Sequence, residues 1–165
     1  MKTILSLSPI LIFFFLFSFP FFLSPSVFAQ SSDLVGLQSK LTVDCKSIRG
    51  HASRIVAEAA ESAFNRDVAA AHLGQVARYH VAMESDLRST NDLLDKEQRK
   101  RVDAEMAILL ETCKHIGVEI RGLQKEFDKV RPDIAAVRRA ANTIRNDMTQ
   151  GVEVHDRLKK KLGII

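Results

Sequence analysis

Five histidines and two cysteines carry most of the chemical reach of this 165-residue chain: His51, His72, His80, His115, His155, Cys45 and Cys113. No two histidines fall in the His-x-x-x-His or His-Glu-x-x-His spacings that aim one helical face at a zinc ion, so a zinc hydrolase has no support. Glu111 and His115 stand one turn apart with Cys113 between them. A shared metal there needs the thiol on their face, and the apolar spacing around Cys113 turns it inward, so a surface ion pair is the better account of Glu111 and His115. The carboxylate pairs Glu58 with Glu61 and Asp103 with Glu105 lie on polar helix faces, where nothing desolvates an acid. There is no Gly-rich phosphate loop and no Gly-x-Ser-x-Gly elbow. These residues predict a protein that is not an enzyme, with no metal and no cofactor.

The elements that position them are helices. The first 29 residues read as a secretory signal: Lys2, an apolar run from Ile4 to Leu23, then Val27-Phe28-Ala29 as a small-residue cleavage signal. About 20 apolar residues also suffice for an uncleaved anchor, but Pro9 and Pro20 interrupt the run. Residues 30–165 then form one domain with no stable membrane span. Removing Lys2 from the 24 basic residues leaves 23 against 20 acidic ones, too even a balance for a nucleic-acid partner. Only Phe64, Tyr79 and Phe127 remain as aromatics, which removes the stacking platforms of single-strand binders. Few β-branched runs and many Ala, Leu, Glu, Lys and Arg residues indicate an all-α fold.

The strongest periodic signal is Val102, Met106, Leu109, Cys113, Ile116, Ile120, Leu123 and Phe127, spaced alternately four and three apart on one helical face. Asp95 and Gln98 resemble a capping box at the start of that helix. A first helix starting at Ser32 or Asp33 presents Leu34, Leu37, Leu41, Cys45, Ile48, Ala52 and Ile55, and weakens at Phe64 to Asp67. A second, from about Val68 to Ser89, is Ala-rich and turns Leu73, Val76, Met83 and Leu87 inward; Ser89 to Leu94 reads as a loop. Pro132 with Asp133 opens a last helix with Ile134, Val137, Ala141, Ile144, Met148 and Leu158 on its face and Gly163 at its end. Short connections predict an up-down-up-down four-helix bundle. The alternative is an extended two-helix hairpin kinked at Pro132, which proline's cost of about 3 kcal/mol inside a helix disfavours.

Cys45 and Cys113 form the candidate disulfide. In the bundle their helices run the same way, about 12 and about 18 residues from their starts, so their heights differ by about 9 Å. Two buried thiols are the other outcome, if the helices lie across a diagonal. From Lys129 to Ile165 the chain turns basic, with 9 basic and 4 acidic residues, and Arg138, Arg139, Lys159, Lys160 and Lys161 form a candidate contact strip. Complementary packing against the preceding helix accounts for the same charges.

The opening Asp33-Leu34-Val35-Gly36-Leu37, the Ala-rich second helix and Leu123-Gln124-Lys125-Glu126-Phe127-Asp128-Lys129 before the last helix resemble the fungal hydrophobic surface-binding proteins, also called the cell-wall mannoprotein family. The likeness spans about residues 33–158 as pattern; this chain has two cysteines, more charge and fewer Ala, Ser and Thr residues. Plant invertase and pectin-methylesterase inhibitors share a secreted bundle but need four cysteines in two pairs. The fungal resemblance implies a secreted, non-enzymatic protein, extracellular or cell-wall associated, that binds a hydrophobic surface, lipid or amphiphile. A long-helix bundle can do so by opening its apolar stripes. The other function class is a secreted interaction module, an enzyme inhibitor or host-directed effector, whose partner is an extracellular protein.

Overall fold

A computed structural model describes residues 25–164, with side chains from Ser32 onward. The apolar run of the expected signal lies outside the described residues. Four helices make up the fold: α1 Pro25–Glu58, α2 Arg66–Leu93, α3 Lys96–Asp128 and α4 Ile134–Leu162. Each packs on its two neighbours in the order α1–α2–α3–α4–α1, which is the up-down-up-down bundle. The extended hairpin is excluded, because the chain turns back between Asp128 and Ile134 and α4 packs along α3.

Every residue of the Val102–Phe127 stripe is buried, so that face of α3 is core along its whole length. Leu41, Ile48 and Ile55 from α1, Met83 and Leu87 from α2 and Ile144, Met148 and Leu158 from α4 close over it. Burial of side chains this size stabilises by about 1.5–3 kcal/mol each relative to exposure, and it is this continuous stripe, not local propensity, that holds the helices in register.

The ends of the helices are set by identifiable groups. The Asp95 side chain accepts from the Gln98 backbone N–H at 2.7 Å, and the Asp95 N–H donates to Gln98 Oε1 at 3.0 Å, completing the capping box. Asp133 caps α4, accepting from the N–H groups of Ala135 and Ala136, with Pro132 immediately outside the helix. Gly163 ends α4 with φ +73°, a left-handed conformation that costs glycine nothing.

Three expected boundaries move. α1 begins at Pro25 rather than at a cap on Ser32 or Asp33, so the expected cleavage point after Ala29 falls within its span. α2 begins at Arg66 rather than at about Val68, capped by Asn65 through Val68 N–H at 3.2 Å. The stretch Ser89 to Leu93, expected as a loop, is the last turn of α2, and the turn proper is only Leu94 and Asp95. The reason is Thr90. Its polar neighbours face solvent, whereas Thr90 itself is fully buried and its hydroxyl accepts from Gln38 Nε2 at 3.0 Å.

Candidate functional site

The disulfide is corrected by the topology. α1 and α3 sit at opposite corners of the bundle, with no pair of their Cα atoms within 8 Å. A disulfide needs Cα atoms closer than about 7 Å. Both cysteines are free and buried. The Cys45 thiol points to Met83 Sδ at 3.7 Å, and burial, then the Asp44 charge, pushes its pKa up to about 12. The Cys113 thiol lies 3.4 Å from His80 Nε2. The bundle diagonal separates the two sulfurs.

The proposed basic strip is divided in the same way. Arg138 and Arg139 are exposed in the first turns of α4, whereas Lys159 to Lys161 lie in its last turns, about 30 Å away along the axis. Lys159 pairs with Asp156 at 2.8 Å, and Lys161 reaches across to Glu105 on α3 at 2.7 Å. That hydrogen bond holds the largely buried Glu105 carboxyl below its ordinary range. Lys161 therefore fastens α4 to α3, Lys159 is paired within α4, and Lys160 faces solvent. Glu111 and His115 do not pair with one another: Glu111 accepts from Lys114 at 3.5 Å, and His115 Nδ1 lies 2.7 Å from Asp147 Oδ2 on α4.

A better candidate lies in the seam between α2 and α3, where the helix contact is sparsest. A groove of about 370 Å³ opens there. Its apolar lining is Leu110, Val118 and the Cys113 and Gly117 backbone turn, and its rim carries Arg88, Lys114 and Arg121 against the single carboxylate of Glu84. Arg88 is bound to Glu84 at 2.5 Å and Lys114 to Glu111 at 3.5 Å, and Arg121 stands with Lys114 on the α3 side of the groove.

Gly117 explains why the seam is open enough to form a groove and still ordered. A Cβ at this position would lie 3.3 Å from His80 Cε1, so only glycine lets the imidazole settle against α3 without displacement. From there His80 Nε2–H donates to the Cys113 carbonyl at 2.8 Å. The carbonyl can only accept, which fixes the proton on Nε2 and turns the same nitrogen away from acting as a base toward the thiol. Burial, followed by the Glu84 charge, raises the Cys113 pKa to about 11. A nucleophilic cysteine needs the opposite shift. The His80–Cys113 pair is a latch between two helices, and the groove beside it is lined by both apolar and basic side chains.

Spacing did not expose this site, because its members are 33 residues apart on antiparallel helices. Gly117, a glycine inside an otherwise strong helix pattern, was the one available signal, since such a residue marks close approach of a neighbour. The class defined by fold and groove is an all-α four-helix bundle with a shallow, cation-rimmed apolar groove. No family model, no curated protein and no solved structure matches the chain.

Proposed function

We propose that this chain is a secreted, non-enzymatic binding module for hydrophobic surfaces and amphiphilic ligands at the cell exterior or wall, and that its preferred ligand is an anionic amphiphile held in the α2/α3 groove. The observation that carries this reading is that Leu110 and Val118 lie beside Arg121 in a lining whose three cations, Arg88, Lys114 and Arg121, outnumber Glu84 and the Glu111 partner of Lys114 by one. An acyl chain laid on that floor gains about 0.8 kcal/mol for each CH₂ it buries. A carboxylate or phosphate head at the mouth meets guanidinium groups that match its geometry. Larger apolar surfaces engage the same seam: α2 and α3 have the sparsest contact in the bundle and no covalent bond ties the core together, so separating them exposes the Val102–Phe127 stripe.

The test compares amphiphiles of one chain length and opposite head charge. Dodecyl phosphate and dodecyltrimethylammonium are titrated against the full chain, below their micelle-forming concentrations, with Arg121→Gln and Val118→Asp as variants. Preference for the phosphate by tenfold or more, weakened several-fold in either variant, supports the proposal. Equal binding of both heads, or binding unaffected by both substitutions, overturns the groove assignment. Salt-sensitive capture of one extracellular protein with no amphiphile binding supports the interaction-module class instead.

A further inference from the structure

On the opposite side of α2, His51 of α1 and His72 of α2 meet with their Nδ1 atoms 3.1 Å apart and their ring centroids 5.2 Å apart. The two nitrogens therefore face one another, one donating its proton and the other accepting. Tyr79 stacks on the outer face of the His51 ring at 6.0 Å between centroids and limits its rotation. The pair sits in an open hollow of about 480 Å³ that also receives Ser47, Arg54 and Glu58 from the same face of α1.

We propose that His51 and His72 form a two-imidazole site for a transition-metal ion of the class that prefers nitrogen ligands, Cu²⁺ ahead of Zn²⁺ or Ni²⁺. An ion about 2.05 Å from each nitrogen, the usual metal–imidazole distance, sees atoms 3.1 Å apart at an angle of about 100°. That value lies between square-planar and tetrahedral ligand angles, and each ring turns by about 40° from the line joining the two nitrogens to aim its lone pair at the ion. Copper stands first because two neutral imidazoles impose no geometry against it and the general affinity order favours it. The proton balance is simple. On binding, the donor ring exchanges its proton from Nδ1 to Nε2 through solvent, both Nδ1 lone pairs turn to the metal, and any proton beyond one per imidazole leaves to solvent.

The protein supplies two ligands only; among the described residues no group of three His, Cys, Asp or Glu side chains converges on one point. The hollow leaves the remaining positions to water. Arg54 opposes a cation there and Glu58 favours it, which points to a site of moderate affinity that exchanges its metal rather than a permanent structural centre. This site is independent of the amphiphile groove, from which α2 separates it.

The experiment uses the chelator-stripped full chain titrated with Cu²⁺, read by heat and by the electron paramagnetic resonance of the bound ion. One equivalent bound with two equatorial nitrogens is the expected result. His51→Gln and His72→Gln each lower affinity at least tenfold, while His80→Gln and His115→Gln leave it unchanged. Unchanged affinity in both of the first two variants overturns the proposal, as does the absence of uptake below millimolar Cu²⁺. If either variant does not fold, judged by circular dichroism, Zn²⁺ titration of the unaltered chain decides: the Cε1–H resonances of His51 and His72 shift together, or the assignment fails.

Discussion

Acidification from pH 7 to pH 4.5 acts on one buried group above the others. His155 on α4 is almost wholly buried, and its Nε2–H donates to Gln38 Oε1 of α1 at 2.8 Å; Gln38 Nε2 in turn donates to Thr90 of α2. The direction is fixed, since Gln38 has already used its amide nitrogen and offers only its oxygen. Burial, then the Lys159 charge, lowers the His155 pKa to about 4, with Asp156 acting weakly the other way. In the unfolded chain the same ring titrates near 6.5. Between those values the unfolded state binds a proton that the native state refuses, so stability rises with pH across the window and is lost as pH falls from about 6.5 to about 4. Integrating between pH 7 and pH 4.5 gives a loss of about 2.5 kcal/mol, a large fraction of a domain's total of about 5–15 kcal/mol. Urea unfolding at both pH values checks it, with His155→Gln as the reference. Its amide still donates to Gln38 but takes up no proton. Glu105 and Glu126, whose lysine partners depress their pKa values, lose stability on acidification in both proteins and cancel from the comparison. The unaltered chain should lose about 2.5 kcal/mol more than the variant. Losses equal to within about 0.5 kcal/mol refute the buried-neutral assignment.

Three shorter predictions follow from other positions. Asp44 is buried with one carboxylate oxygen lacking any hydrogen-bond partner, and burial and the Asp86 charge both raise its pKa. Asp44→Asn should therefore stabilise the fold at pH 7, by about 1 kcal/mol from removing an unpaired buried charge, measured as a shift of the urea midpoint. Neither cysteine is bonded, so reductant should leave the thermal midpoint unchanged, and a thiol reagent should label both residues only after unfolding. Gly122→Ala meets open space and should gain about 0.5–1 kcal/mol of helix stability. The same change at Gly117 should gain clearly less or destabilise, because its methyl reaches the His80 ring that the Cys113 carbonyl holds in place.

What could be read from the chain beforehand was whatever repeats with the helical period. The α3 stripe, the Asp95–Gln98 box, Pro132 with Asp133 and Gly163 all signal within a few residues of themselves, and the structure keeps each, with Pro132 standing just before the Asp133 cap rather than in the first turn of α4. The last turn of α2 was missed because Ser89, Asn91 and Asp92 have the composition of a loop. The buried bond between Thr90 and Gln38 overrides that composition, and its partner lies 52 residues away. The cysteine pairing failed for a related reason. Helix direction and height follow from the sequence, but which two helices share an edge and which share a diagonal is decided by all four faces at once, and neither stripe records it.

The histidines make the same point about function. Scanned along the chain, His51 and His72 are 21 residues apart and fit no ligand spacing; on antiparallel neighbours they become the closest pair of imidazole nitrogens described. His80 and Cys113 read alone suggest a nucleophile and its base, but the Cys113 carbonyl takes the His80 proton and burial raises the thiol. His155 sits on an apolar stripe where spacing alone cannot choose between it and Val154, and the bundle buries both. One residue type thus fills three roles here, set by its surroundings: a core hydrogen-bond donor in His155, a helix latch in His80 and a mutually hydrogen-bonded pair in His51 and His72. The distinction rests on what each Nε2 and Nδ1 faces across a helix boundary. Only the third arrangement leaves nitrogen open to a hollow that solvent and ions can enter.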